Sequence, residues 1–310
     1  MAASQNVIKK GSIVYLKVGN EWYQYDESNS LLGSGAMGVV YVGFNSRTHQ
    51  RVAIKMVRQE YANIKTIRER AKHEASLMFM HQNLIEMLGY CEWADNGGPI
   101  WIISKLVQGQ TIDQYLKNYP RDTEESMRKI CQMFMPVLDA LHYLHSGQQQ
   151  ILHLDVKPSN IMVENGRNVR LMDLGISSTQ DGTTLGSHGM MGTPNYAAPE
   201  QFCNEPQFGE VGVCADIYEA AVTLFELLTN TNPYRANTVT NTVAKHRTMP
   251  LPAVRSIPKP VMDVLQKATT PVQTYRYQSV IEFKNALNAA LVAPPPSKLS
   301  KIFPFLKKNK

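Results

Sequence analysis

Cysteine is scarce in this sequence: Cys91, Cys131, Cys203 and Cys214 lie far apart and never form a CxxC pair. That spacing, with no histidine cluster beside it, excludes a disulfide framework and a zinc site and predicts reduced, buried thiols. No stretch reaches the roughly 20 apolar residues a membrane-spanning helix needs. The first residues, MAASQNVIKKGS, lack the apolar core of a secretory signal, so a cytoplasmic protein is the expectation. Neither sign of charge dominates the body of the chain. Five of the six net positive charges sit in the last thirteen residues, KLSKIFPFLKKNK, which leaves about +1 elsewhere and argues against a nucleic-acid partner. No internal repeat is present. What remains is an apolar fraction of 43% spread over 310 residues, enough for a sizeable core.

The chain changes character along its length. Residues 12–25 (SIVYLKVGNEWYQY) are rich in β-branched and aromatic residues around a Gly19-Asn20 turn, and predict a hairpin or edge strand ahead of the main fold. Two strands are predicted in VVYVGF and RVAIKMV, a helix over about 63–80, and strands near 87–92 and 100–106. After Gly109 helical patterns dominate: 111–118, 124–145, 215–229, 261–269 and 279–291. A β-rich first third and an α-rich remainder predict an α+β fold of two lobes, the first ending near residue 108, with a cleft between them. A proline run, Pro294 to Pro296, then starts a linker and basic tail over 293–310.

Three segments carry chemistry. Gly33-Ser34-Gly35-Ala36-Met37-Gly38-Val39-Val40 is a GxGxxGxV run, and such a loop lets backbone N–H groups approach phosphate oxygens. A dinucleotide-binding turn shares these glycines, but here the run leads into a strand rather than a helix. Lys55, in Val52-Ala53-Ile54-Lys55, sits on the neighbouring strand, where it can grip phosphates if an acidic residue on the next helix holds it. Glu74 is the candidate for that partner and Glu69 its rival. The most telling stretch is His153-Leu154-Asp155-Val156-Lys157-Pro158-Ser159-Asn160, followed by Met172-Asp173-Leu174-Gly175. Phosphoryl transfer requires a carboxylate to orient the acceptor hydroxyl and oxygen ligands for a divalent cation. Asp155 suits the first need and Asn160 with Asp173 the second, while Lys157 can neutralise charge on the moving phosphoryl group.

In these motifs the sequence resembles the eukaryotic-like protein kinase family from about Leu31 to Leu291, in LGSGAMGVV, VAIK, HLDVKPSN, DLG and Ala198-Pro199-Glu200. Its wording in KPSN, NIMV and YRYQS is most similar to the bacterial serine/threonine branch. The resemblance implies a catalytic domain over 26–292 after an N-terminal extension of 1–25. It implies ATP and Mg²⁺ as cofactors, with Mn²⁺ as a substitute, and serine or threonine hydroxyls of proteins, including the chain's own, as acceptors. Lys55, Glu74, Asp155, Lys157 and Thr193 are then the catalytic set and Asn160 and Asp173 the metal ligands. Leu32, Gly33, Ser34, Gly35, Ala36, Met37, Gly38, Val39 and Val40 cover the nucleotide together with Lys55. Ala53 and Met162 join Val40 in sandwiching the adenine, Ser104 takes the gatekeeper position, and the backbone of Lys105 and Val107 meets the base edge. Gly192-Thr193-Pro194-Asn195-Tyr196 resembles the loop that receives the acceptor peptide, with Thr193 near Asp155 and Lys157. Asp216 resembles the aspartate that anchors the catalytic loop, and Arg276 the arginine that pairs with Glu200.

Three residues depart from the family pattern. Leu154 replaces the arginine before the catalytic aspartate, Leu174 the usual phenylalanine, and Lys105 a frequent acidic residue. Leucine at 154 cannot pair with a phosphate on the following loop, so activity is expected to depend little on phosphorylation within 176–192. A pseudokinase scaffold and a small-molecule kinase are the alternatives. The intact Lys55, Asp155, Asn160 and Asp173 argue against the first, and Glu200, Asp216 and Arg276 against the second. The lysine-flanked IFPFL cluster of the tail invites contact with anionic lipid, but Pro304 inside it discourages an amphipathic helix, and a solvated end is favoured.

Overall fold

The computed structural model describes residues 6–35, 37–93, 98–147, 150–174, 193–202 and 205–292. Ala36, Cys203, Gly175, the 176–192 segment and the 293–310 tail therefore lie outside the described residues. The chain divides into two compact units. The first holds residues up to Tyr115 and those from Asp139 to Thr184, the second Leu116–Leu138 and everything from Leu185 on.

The first unit opens with three strands, β1 (Val7–Lys10), β2 (Ile13–Val18) and β3 (Glu21–Asp26). Strands β4 (Leu31–Ser34), β5 (Gly38–Asn45) and β6 (Arg51–Val57) follow, then the short α1 (Gln59–Ala62) and α2 (Lys65–Ser76), then β7 (Met87–Glu92) and β8 (Ile100–Lys105). All eight strands form one antiparallel sheet in the order β1-β2-β3-β5-β6-β8-β7, with β4 pairing the first half of β5. The N-terminal strands are thus continuous with the main sheet rather than ahead of it: Tyr23, Gln24 and Tyr25 pair with Asn45, Phe44 and Gly43.

Alternation along β8 explains why this sheet needs covering on both faces. Ile100 and Ile102 pack with Val57, Ala62, Ala71 and Ala75 beneath α2. Trp101 and Ile103 point the other way, into a cluster with Val7, Val14, Leu16, Tyr23, Tyr25, Tyr41 and Ile54. Five of the eleven buried residues of that second cluster come from β1 to β3, and the Trp101 indole donates to Tyr25 Oη at 3.0 Å within it. The sheet curls so that β2 meets β7. A Cβ at Gly89 would lie 2.5 Å from Val18 Cγ1, and its φ of +126° suits glycine alone.

The predicted helix over 63–80 is shorter, because α2 stops at Ser76 and Leu77 turns extended. The apolar run after it leaves the helix so that Phe79 and His81 can pack on the Tyr143 ring, while Met78 and Met80 stay exposed. Strand β9 (Gly109–Thr111), the short helix α3 (Ile112–Tyr115), and strands β10 (Ile161–Glu164) and β11 (Asn168–Leu171) complete this unit. Here too the predicted 111–118 helix contracts. Asn83 ties the two sheets of the unit, its carbonyl accepting from Leu171 N at 2.8 Å and its amide donating to Val169 O at 2.9 Å.

Helix α4 (Glu124–Ser146) is shared between the units by its two halves. In the second unit, α5 (Val213–Thr229) is buried along nearly its whole circumference, as a central helix must be. Helices α6 (Val239–Thr248), α7 (Lys259–Ala268) and α8 (Val280–Val292) follow it. Of these α6 was not anticipated. Its start is fixed by Thr238, whose hydroxyl accepts from Asn241 N at 3.2 Å.

Candidate nucleotide and phosphoryl-transfer site

The sheet register gathers the nucleotide candidates. Val40 stands opposite Lys55 and Ala53 opposite Ser104, so alternation brings all four to one face of the sheet. Lys105 N–H is already donated to Glu86 O at 2.9 Å, so a ligand could meet only its carbonyl. Val107 lies in the irregular segment that leads from β8 to β9, and Met162 on β10 is half-buried opposite Thr111.

The glycines of the 33–38 run serve different ends. Gly33 has nothing within 4 Å of where a Cβ would stand, which leaves its face open to a ligand. Gly38 is required by the sheet instead, since a Cβ there would sit 2.6 Å from Met56 O. Arg58 clasps the loop, donating to Ser34 Oγ at 2.9 Å, and Gly35 N–H closes onto Gly38 O at 2.9 Å. Leu32 is exposed at the start of the loop, and Met37 and Val39 are half-buried beyond its tip. Sequence reasoning missed Arg58, whose only signal was a basic residue just after the Lys55 strand.

Lys55 Nζ donates to Asp173 Oδ1 at 2.9 Å. Glu69 is exposed and reaches only Lys72, at 3.6 Å, whereas Glu74 is 5% exposed and its Oε2 has no hydrogen-bond partner. The Lys55–Asp173 ion pair is thus the one formed, where a Lys55–Glu74 pair was expected. Burial pushes the Glu74 carboxyl up to about 8, with Lys55 pulling it back and Asp173 adding to the rise. For Lys55 burial opposes the charge, but Asp173, Glu74 and Asp155 outweigh it and raise the pKa above the usual lysine range. Burial also works against the charge on Asp173. The Lys55 ammonium, with Lys157 and His153 adding to it, prevails and holds that carboxyl below its ordinary value.

The 155–160 loop is knitted by its own side chains. Asn160 Nδ2 donates to both the backbone O and Oδ2 of Asp155 at 2.9 Å, and Lys157 Nζ lies 2.7 Å from the same Oδ2. Met172 N–H bonds Asn160 O at 2.8 Å, which joins this loop to the Asp173 segment. His153, fully buried, spans the same gap: its Nδ1 accepts from Asp155 N–H and its Nε2 meets Met172 O at 3.2 Å. Leu154 and Asp173 hold left-handed backbone, with φ of +55° and +47°. Two such non-glycine residues in one site are backbone strain of the kind found where side chains must be aimed.

This donor set fits a magnesium nucleotide. Asp173 offers an ionised oxygen, and the two bonds from Asn160 Nδ2 turn the amide so that Oδ1 is the atom left for a metal. Among the described residues no cluster of three or more histidine, cysteine or acidic side chains stands ready for another metal. Cys91 and Cys131 are buried thiols pushed up to about 11 and 12 by that burial, so neither is reactive.

The second unit carries the remaining candidates. Thr193 begins the described segment 193–202, in which Tyr196, Ala197 and Ala198 are buried. Arg276 uses all five of its donors: Glu200 Oε1 and Oε2 at 2.6 and 2.8 Å, and the carbonyls of Thr270, Pro271 and Cys214. Its guanidinium also lies 4.8 Å from the Tyr218 ring. Asp216 is fully buried in the first turn of α5.

Comparison with known proteins agrees with this geometry. A family model described as "Protein kinase domain" matches residues 26–289. The chain is 28% identical over 273 residues to serine/threonine-protein kinase PrkC of Bacillus subtilis, covering 85% of this chain and 40% of PrkC. It is 32% identical over 269 residues to serine/threonine-protein kinase PknH of Mycobacterium tuberculosis, covering 85% of this chain and 41% of PknH. The chain thus spans about two fifths of the length of these curated relatives. The crystal structure of the Mycobacterium tuberculosis PknI kinase domain shares the fold at 22% identity and a TM-score of 0.63, covering 94% of this chain and 99% of that one. The chain belongs to the protein kinase family, beside its bacterial serine/threonine members.

Proposed function

We propose that this chain transfers the γ-phosphoryl group of ATP to serine and threonine hydroxyls of protein substrates. The observation that carries the reading is the Asp155–Asn160–Lys157 knot joined to the Lys55–Asp173 ion pair, a set of side chains with one chemistry in common. Asn160 and Asp173 would hold Mg²⁺, or Mn²⁺ in its place, which when bound neutralises charge on the nucleotide phosphates. Lys55 would leave Asp173 partly free by gripping the phosphates, with the buried Glu74 carboxyl nearby. Asp155 would orient the acceptor hydroxyl and take its proton, and Lys157 would offset the charge that develops on the moving group. Val40, Ala53 and Met162 would enclose the adenine, with the Lys105 carbonyl and Val107 at its edge and Ser104 leaving room behind it. Residues 193–197 would line the acceptor peptide, Thr193 foremost.

No helix among the described residues is long and apolar enough to cross a membrane. The test is purified chain with γ-labelled ATP, Mg²⁺ and a protein acceptor, followed by phosphoamino-acid analysis. Phosphoserine and phosphothreonine are expected, and label that stays on free nucleotide or moves to a small molecule would refute the reading.

A further inference from the structure

The segment after α5 reads Thr229-Asn230-Thr231-Asn232-Pro233-Tyr234-Arg235. Asn230 ends the helix in left-handed backbone, donating its N–H to Glu226 O at 2.7 Å. Asn232 precedes a proline, and its side chain organises the turn that follows: Oδ1 accepts from Tyr234 N at 3.0 Å and Arg235 N at 3.2 Å. Lys245 Nζ closes the same turn from α6 through Pro233 O at 3.2 Å and Arg235 O at 2.8 Å.

An asparagine that only made this turn would leave its amide nitrogen to solvent. Here Asn232 is 7% exposed, and Nδ2 donates to Asn195 O at 3.1 Å and Glu226 Oε2 at 3.2 Å. Both acceptor and both donor capacities are filled, and the two N–H groups facing Oδ1 fix which end of the amide is which. The same Glu226 Oε2 accepts from Tyr196 Oη at 2.6 Å, while Oε1 lies 3.5 Å from Arg235. One carboxylate and one amide therefore hold two consecutive residues of the 193–197 segment, one by its backbone and one by its side chain.

We propose that Asn232 is a positioning residue for the acceptor peptide. It fixes the Asn195 carbonyl, and with Glu226 the Tyr196 ring, so that the loop presents one shape to the incoming chain. The proposal rests on the reading that residues 193–197 line the acceptor. Asn232 touches that loop and none of the nucleotide residues, so its loss acts on acceptor binding rather than on ATP.

The test uses the full chain, with myelin basic protein and Mg·ATP varied in turn. Asn232→Asp keeps an oxygen for the Tyr234 and Arg235 N–H groups but turns a second oxygen against Asn195 O and Glu226. Asn232→Ser keeps a shorter acceptor for the turn and cannot reach Asn195. For whichever of these melts within a few degrees of wild type, the acceptor KM is expected to rise about fivefold or more, with the ATP KM within about twofold. An unchanged acceptor KM in a folded variant would overturn the proposal. So would acceptor and ATP KM rising together, or both variants melting early with no such split, since that is what a purely structural asparagine gives. A wild-type chain that phosphorylates no protein would refute the function reading itself, and the tether with it.

Discussion

Two of the buried glutamates of this molecule, Glu200 and Glu74, teach opposite lessons. Glu200 in the second unit and its partner Arg276 have fully buried side chains, and every donor of the guanidinium is used. Glu74 in the first unit is nearly as deep, yet one of its oxygens has no partner and its nearby cation is engaged by Asp173. A buried charge is tolerated when paired and hydrogen-bonded, and otherwise keeps its proton. The first arrangement is finished and can only hold the fold. The second is incomplete, because the cation nearest Glu74 is held by Asp173 and leaves that carboxyl without a charged partner.

That contrast can be broken from either side. The largest effect is expected at the chemical step: Asp155→Ala should lower kcat by about 10²–10⁴-fold while nucleotide affinity is kept, read by steady-state kinetics and titration calorimetry. Unchanged turnover would remove Asp155 from the mechanism. On the finished side, Arg276→Met strands a fully buried Glu200 and should cost about 3–5 kcal/mol in denaturant unfolding. A loss below 1 kcal/mol, on the order of a surface pair, would mean the site relaxes to let water in.

The unfinished side predicts a pH effect. Folded chain holds the Glu74 proton up to about pH 8, whereas the unfolded chain releases it near its ordinary value of 4.5. Stability from this group is therefore full below pH 4.5, falls as pH rises toward 8, and is flat beyond it. Glu74→Gln lacks that proton, so its stability relative to wild type should climb across the same window, by at most about 1.4 kcal/mol per pH unit. Parallel stability curves for the two proteins would show that Glu74 is ionised when folded. The smallest effect is Tyr25→Phe, which orphans the Trp101 indole and should cost about 1–3 kcal/mol by the same unfolding measurement.

The residues of the catalytic loop were legible because their order along the chain is itself the geometry. Asp155, Lys157 and Asn160 are close in sequence, and a six-residue loop can bring them together in few ways. The Arg276–Glu200 pair was also readable, from the resemblance rather than from physics, since 76 residues separate the partners. The partner of Lys55 was not readable. Glu74 and Asp173 are equally acceptable as letters, and the choice depends on where α2 ends and how the 173 backbone bends into left-handed space. Strands β2 and β3 were visible in residues 12–25 but β1 was not, and because strand pairing is a non-local decision no local pattern said they would join β5. Nothing in the sequence singled out Asn232 beyond its place before a proline, because one of its side-chain hydrogen bonds reaches 37 residues back. The helix end at Ser76 was missed because Leu77 to Met80 continue an apolar pattern that the chain uses for ring packing instead.

The cover that β1 to β3 lay over one face of the sheet also separates two meanings of a boundary. The kinase family match begins at residue 26, the last residue of β3. A fragment started there would discard Val7, Val14, Leu16, Tyr23 and Tyr25 and bare Trp101, Ile103, Tyr41 and Ile54 to water. Such a fragment would contain every residue proposed to act on the nucleotide or acceptor and still present a sticky apolar plate. The length of chain that the family match covers and the length that covers this face of the sheet are different.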